Sequence, residues 1–428
     1  MGFGNTPLGL KMISPFKEGY HLFFFLPLKK RMKEGHNIIQ YSSFKGEEMG
    51  LAKIGRRELI KWFPSLLLGI RFPGILKEKQ SYVKNERKPL LEYRNLGRTG
   101  LKVTSVSMWV MNCSDPAVLH RAYDLGVNLY DTADCYMGGR NEEMVGVVFR
   151  GKRDKVFIQT KVHPGEEKKM RASVERSLRR LRTDYIDILL WHNLHSPEEV
   201  SNPSLYHFMT MMKKEGKARF TGFSTHSHMV TLLREASKTD YHDVILVAYN
   251  FTHSKDLKEA VAQAARAGIG IIAMKTQAGG YKKEKMGGLT PHQAALKYIL
   301  KDSHVSAAVP GVTTIEQIEE CVGLMGTSLT SEDLSSLKRY QVFLKGRICT
   351  FCGGCLGECP SGIHPQDLIR IWAYLDGYEE DALKIDFFSE EVMKTLQVCK
   401  ECPACSVHCR QGMDLKAKLI QIERLANS

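Results

Sequence analysis

Val156-Phe-Ile-Gln-Thr-Lys161, the charged segment Lys168 to Leu181, and Ile186-Asp-Ile-Leu-Leu-Trp-His192 follow one another with short connections, and their succession decides the fold class. The outer two pieces are apolar runs of strand length, while the middle piece is longer, charge-flecked and reads as a helix. Strands joined through a helix run parallel, because an antiparallel return needs only a tight turn.

Outward from this unit the alternation persists. Further strand candidates lie at Val103 to Trp109, Val127 to Thr132, Phe220 to Ser224, Val244 to Asn250, Ile269 to Met274 and Ser306 to Pro310, which with the first two makes eight. Helix candidates include Pro116 to Leu125, Ser204 to Glu215, Lys255 to Ala267 and Thr290 to Lys301. Eight such units within residues 93–335 predict an α/β chain of the TIM (β/α)8 barrel type, whose active site lies where strands run into their following loops.

Polar residues that interrupt strand ends are therefore the ones to weigh. Asp131 and Tyr136 follow the second strand, Lys161 ends the third and His192 ends the fourth. A buried lysine needs a counter-charge, which Asp131 supplies, and the lysine is expected to lower the pKa of a neighbouring Tyr136. A free tyrosine ionises near ~10 and is a poor proton donor around neutrality. His192 is placed to hydrogen-bond a carbonyl oxygen. Singly, Asp131 also reads as a loop cap, Tyr136 as packing, and Lys161 and His192 as satisfied polar residues; the four together point to a site. His163, His195, His226, His228 and His253 lack partner carboxylates or cysteines at ligand spacing and read as pocket lining or surface.

Of 11 cysteines, eight lie between residues 349 and 409, as Cys349-x2-Cys352-x2-Cys355-x3-Cys359 and Cys399-x2-Cys402-x2-Cys405-x3-Cys409. Three closely spaced thiolates can embrace one face of a 4Fe-4S cubane while the fourth serves the other cluster. The expected sets are Cys349, Cys352, Cys355 with Cys409, and Cys399, Cys402, Cys405 with Cys359. Zinc favours paired knuckles over four-cysteine runs, and clusters require reduced thiolates at assembly, which disfavours a disulfide framework. Arg410 stands where the first run has Pro360. Between the runs, Leu368, Ile371, Trp372 and Leu375, then Phe387, Val392 and Leu396, are spaced for helices. Residues 340–428 thus read as a small α-helical domain for two 4Fe-4S clusters.

The net charge of +14 is uneven: residues 1–92 hold 17 Lys and Arg against 8 Asp and Glu, leaving the rest of the chain close to balance. Without a basic block interleaved with aromatics in the folded part, nucleic acid is not the expected partner. Arg56-Arg57-Glu-Leu-Ile-Lys61 leads into an apolar stretch interrupted by Arg71, too short to span a membrane. It resembles a twin-arginine export signal, which implies a folded protein in the bacterial periplasm; failing that, the expectation is the cytoplasm. Gly46-Glu-Glu48 before Met49 suggests that translation starts at Met49, bringing the signal nearer the start of the chain.

Asn95-Leu-Gly-Arg-Thr-Gly-Leu-Lys-Val103, Asn128-Leu-Tyr-Asp-Thr-Ala-Asp-Cys-Tyr136, Ile158-Gln-Thr-Lys161, Asp187-Ile-Leu-Leu-Trp-His192 and Val309-Pro-Gly311 together resemble the aldo-keto reductase family. The resemblance implies Tyr136 as general acid, Lys161 as its tuner, Asp131 as the partner of the lysine and His192 as the substrate orienter. It implies NAD(P)H, with Ser224 of Gly222-Phe-Ser-Thr-His226 at the carboxamide and Met274 where an aromatic usually stacks on the nicotinamide. Gly311, Thr313 and Thr314 lie where the 2′-phosphate is gripped, but residues 310–321 contain neither Lys nor Arg. The C-terminal cysteine pattern is similar to the α-helical two-cluster ferredoxins. The combined expectation is an iron-sulfur oxidoreductase acting on a small carbonyl or alcohol, with the clusters as conduit and a redox protein as partner. The alternative is an electron-transfer or partner-docking module on a barrel that no longer turns over substrate.

Overall fold

The computed structural model describes residues 90–278 and 290–352 and, in the C-terminal part, 355, 359–363, 365, 368–372, 390–403 and 405–426. Met49, the Arg56-Arg57 pair, Leu375 and Phe387 lie outside the described residues. Among the described residues no helix is long and apolar enough to cross a membrane.

The chain opens with a hairpin of β1 (Tyr93–Asn95) and β2 (Lys102–Thr104), then builds the barrel from β3 (Met108–Trp109), β4 (Leu129–Asp131), β5 (Phe157–Val162), β6 (Ile186–Trp191), β7 (Ala218–Thr225), β8 (Val244–Ala248), β9 (Gly270–Met274) and β10 (Ala307–Val309). These eight strands pair in sequence order and in parallel throughout. The ring closes where the Ser107 N–H donates to Ala308 O and the Ala308 N–H to Ser105 O, each at 2.8 Å, with a further bridge between Trp109 and Gly311. Strands such as Ile186–Trp191 are buried at every position, since helices cover the outside and side chains fill the inside.

Helices α1 (Pro116–Asp124), α2 (Arg140–Val148), α3 (Glu167–Leu181), α4 (Pro197–Val200), α5 (Pro203–Lys214), α6 (Met229–Ala236), α7 (Lys255–Arg266), α8 (Pro291–Leu300), α9 (Ile315–Val322) and α10 (Ser331–Leu344) follow the strands. Several start where the sequence supplies a cap: Asp115 accepts from the Ala117 N–H, Asn202 from Ser204 and Leu205, and Ser254 from Leu257.

The expected first strand, Val103 to Trp109, is divided. Its beginning belongs to the hairpin and only Met108–Trp109 joins the ring, because the Ser107 hydroxyl donates to Thr104 O at 2.9 Å and turns the chain between them. The hairpin floors the barrel, with the Arg98 N–H donating to Gly268 O at 2.7 Å. Gly97 is required there: its φ is 50° and an added Cβ would lie 2.2 Å from Gly270 N.

Helix α10 runs across the expected division between residues 335 and 340. Tyr340 stacks on Phe251 at 5.8 Å and Lys297 pairs with Asp333 at 3.2 Å, so this helix packs on the barrel and carries the chain towards its mouth. Beyond it, helices Glu390–Glu401 and Leu415–Ala426 enclose a second apolar core with Leu368, Ile369, Ile371, Leu396, Val407 and Ile422. The helical spacing expected around Leu368, Ile371 and Leu396 is present.

Candidate active site

Parallel strands bring their C-terminal ends to one mouth, and the four expected residues meet there. Asp131 ends β4, Lys161 lies near the end of β5, Tyr136 begins the turn after β4, and the His192 N–H donates to Val162 O at 2.9 Å just beyond β6. Lys161 Nζ contacts the two Asp131 carboxylate oxygens at 2.7 and 2.8 Å, Thr132 O at 2.6 Å and the Tyr136 hydroxyl at 3.2 Å. Gln159 Nε2 donates to Asp131 Oδ1 at 2.5 Å.

Asp131 and Lys161 are 0% and 1% exposed. Burial pushes the carboxyl up and the ammonium down, while their mutual contact opposes both shifts. The expectation that Lys161 lowers the Tyr136 pKa is not met. Desolvation holds the phenol well above its ordinary range and the Asp131 charge adds to this, with Trp109 and Arg370 opposing. The positive charge near the hydroxyl does not offset the loss of water around a phenolate. Tyr136 is therefore a firmly protonated donor, and its oxygen accepts from Lys161 and, at 3.5 Å, from Trp109 Nε1. Desolvation, then His163 and Lys161, keep His192 neutral, well below its ordinary range. Its ring meets that of Tyr136 edge-on at 5.7 Å, and its Nδ1 lies 3.5 Å from Cys135 Sγ. His163, expected as lining, stacks on His192 at 4.5 Å.

Residues that sequence reasoning did not assign complete the mouth. Lys275, directly after β9, sets its Nζ 3.8 Å above the centre of the Trp109 ring. Phe351 and Arg370 come from the C-terminal part: Phe351 lies 5.4 Å from Lys275 Nζ, and Arg370 is close enough to weigh electrostatically on Tyr136, His192, His226 and Lys275. A polar residue at the end of an apolar strand was the available signal for Lys275. For Phe351 and Arg370 there was none.

The residues expected at a nucleotide hold partners within the chain. Ser224 Oγ accepts from the Asn193 N–H at 2.9 Å and donates to Trp191 O at 3.4 Å. Gly311 bridges to Trp109 at the seam of the barrel. Both the N–H and the hydroxyl of Thr313 donate to Gln317 Oε1, at 2.7 and 3.2 Å, while Thr314 Oγ1 caps α9 by accepting from the Gln317 N–H. Met274 is buried at 2% exposure.

The eight C-terminal cysteines divide between two cavities. One is lined by Cys349, Cys352, Cys355 and Cys409, the other by Cys359, Cys399, Cys402 and Cys405. The fourth cysteine of each run faces the three of the other. Desolvation and the neighbouring thiols push Cys349 up to about 12 and Cys399 up to about 11. Cys349 packs against both the barrel core and the C-terminal core.

A closed parallel barrel with a buried lysine-aspartate pair beneath a tyrosine at its C-terminal mouth defines the class of TIM-barrel oxidoreductases. Residues 114–287 and 282–341, more than half of the chain, match the model of the Aldo/keto reductase family, and this protein belongs to that family. L-galactose dehydrogenase of Arabidopsis thaliana is 26% identical over 299 residues, which cover 58% of this chain and 93% of that protein. L-glyceraldehyde 3-phosphate reductase of Escherichia coli (strain K12) is 26% identical over 333 residues, 60% of this chain and 94% of its own. Among solved structures, aldo-keto reductase AKR11C1 from Bacillus halodurans in its holo form shares the fold with a TM-score of 0.51, at 23% identity over 58% of this chain and 96% of that one.

Proposed function

We propose that this protein is an iron-sulfur oxidoreductase that interconverts a small carbonyl compound and its alcohol, with Tyr136 as general acid and two 4Fe-4S clusters as the electron conduit. The observation that carries the reading is the crossed arrangement of the cysteines: each cavity presents four thiols, three from one run and one from the other, the donor set a cubane requires. Cys349 and Cys409 belong to the set nearer the barrel. When bound, the clusters supply electrons one at a time.

The barrel residues provide the proton on oxygen and the orientation, while the two electrons and the proton that reaches carbon come from outside these four residues. Tyr136 donates to the carbonyl oxygen, and Lys161, 3.2 Å away, stabilises the phenolate left behind. Asp131 keeps that ammonium charged and in place. Neutral His192 donates a hydrogen bond to the same oxygen and fixes its direction. The pair lies against the Tyr136 hydroxyl at the mouth, which supports a working site over a retired one.

Anaerobic purification with iron and acid-labile sulfide counted tests the reading. About eight of each per chain are expected from two cubanes. A chain that folds with zinc or with no metal at all overturns it. The Arg56-Arg57 segment supports export in folded form, tested by Arg56→Lys with Arg57→Lys, which should hold the protein in the cytoplasm.

A further inference from the structure

Phe351 lies two residues beyond Cys349, and its backbone is in the left-handed region with φ of 58°. An aromatic residue adopts that conformation only when its surroundings over-determine it. Here its N–H donates to Cys349 Sγ at 3.4 Å and its carbonyl accepts from His253 Nε2 at 3.1 Å. The effect is to drive the ring into the barrel, where it is 2% exposed, part of the barrel core, and 6.1 Å from the His226 ring.

The ring lands beside His226 and Lys275, on the side of the mouth formed by β7 and β9, the two strands that carry Ser224 and Met274. Among the described residues, those expected at a nucleotide already hold partners: Ser224 is 1% exposed and bonded to backbone, and Thr313 and Thr314 are turned to Gln317. The opposite side differs, with Cys135 and His163 exposed and His192 half-buried, so a substrate can reach Tyr136 from there.

We infer that Phe351 and its neighbours have replaced the nucleotide in this barrel, and that reducing equivalents reach the Tyr136 site from the Cys349, Cys352, Cys355, Cys409 cavity, with a quinone as the class of substrate. This rests on the iron-sulfur reading above. Cys349 touches the barrel core, Lys275 sits between Phe351 and Trp109, and Trp109 Nε1 lies 3.5 Å from the Tyr136 oxygen, so contact is continuous from cavity to acid. Electrons that arrive singly require a conjugated acceptor rather than an isolated ketone. Cys349, Cys352, Cys355 and Cys409 would hold one cluster and Cys359, Cys399, Cys402 and Cys405 the other, and these would supply one electron each and draw replacements from a one-electron donor protein. The quinone takes up those two electrons with one proton from Tyr136 and one from water, and leaves as the hydroquinone.

The experiment uses the full chain, purified anaerobically and carrying its iron. It is first titrated with NADPH and NADH to about millimolar while cluster absorbance and nucleotide fluorescence are followed. It is then reduced with dithionite, freed of excess reductant and mixed with menadione, or with ferricyanide, which takes electrons without protons. Expected are no nucleotide binding, no bleaching by nucleotide, and reoxidation by about one menadione per chain. In Tyr136→Phe, menadione should react at least about tenfold more slowly while ferricyanide reacts at the wild-type rate. Micromolar nucleotide binding with bleaching, or a Tyr136→Phe chain as fast as wild type towards menadione, overturns the inference and leaves the iron-sulfur reading standing. A preparation without iron overturns both.

Discussion

Lys161 Nζ lies 3.2 Å from the hydroxyl of Tyr136 and 2.7 Å from the carboxylate of Asp131, so one buried ammonium is both the counter-ion that Asp131 needs and a donor to the Tyr136 oxygen. Fold and chemistry therefore fail together if it is removed.

Lys161→Met leaves Asp131 buried without its cation, and should cost about 3–5 kcal/mol of stability together with the loss of turnover. Asp131→Asn added to it should recover much of that stability and none of the activity. Chemical denaturation of the two variants decides the matter, and a single variant as stable as wild type contradicts the buried-pair account.

Tyr136→Phe removes a hydroxyl whose oxygen only accepts inside the fold, from Lys161 and Trp109, so folding should survive. Turnover should fall by roughly 10²–10⁴-fold. Because desolvation raises the phenol above its ordinary range, its acid form persists through neutral and mildly basic pH. The wild-type rate should then show no loss attributable to this group up to about pH 9, a little below the free-tyrosine value near 10. A descending arm near pH 8 that disappears in the variant would show that Tyr136 ionises earlier.

Crossed ligation has a signature in pairs. Cys409→Ser should reduce the iron from about eight to about four per chain. Adding Cys349→Ser, from the same cavity, should remove no more, whereas adding Cys399→Ser, from the other, should remove the rest. Iron counts that fall the other way round mean that each run binds its own cluster.

His242 and His253 are each pushed down to about 4 by burial, against hydrogen bonds that oppose it. An unfolded histidine titrates near 6.5, so between pH 6.5 and 4 the unfolded chain binds more protons and the fold loses stability as pH drops. The slope is up to about 1.4 kcal/mol per pH unit for each proton. His253 has a second consequence: its Nδ1 accepts from the Asn250 N–H while Nε2 donates to Phe351 O, so protonation breaks the first bond and loosens the hold on Phe351. Replacing His242 by Gln should flatten the slope in acid denaturation curves, and an unchanged slope contradicts the assignment.

Gly222 tests the barrel wall. A Cβ there would lie 1.7 Å from Val244 O on the neighbouring strand, so Gly222→Ala must spread β7 from β8. A loss of several kcal/mol is expected, read as a lowered Tm, since the bumping atom is backbone and cannot rotate away.

The sequence by itself determined the eight strands, because each is an apolar run bounded by charged or turn-forming residues. It also pointed to four residues that the fold brings together at the mouth, since Asp131, Tyr136, Lys161 and His192 are polar residues at successive strand ends. The crossed grouping of the two cysteine runs was equally legible, because closely spaced cysteines are brought together by local turns of chain. Only the tertiary structure decided that Val103 to Trp109 is two elements, which turns on the Ser107 hydroxyl finding Thr104 O. It alone decided that Tyr136 titrates upward, because desolvation is the sum of everything packed around a group and no single neighbour announces it. The arrival of Phe351 and Arg370 over a mouth built more than 70 residues earlier, and the turning of Thr313 and Thr314 to Gln317, are likewise contacts between side chains whose partners are chosen by packing. Periodicity reports which face of an element is buried; what it is buried against is settled only when all the elements have taken their places.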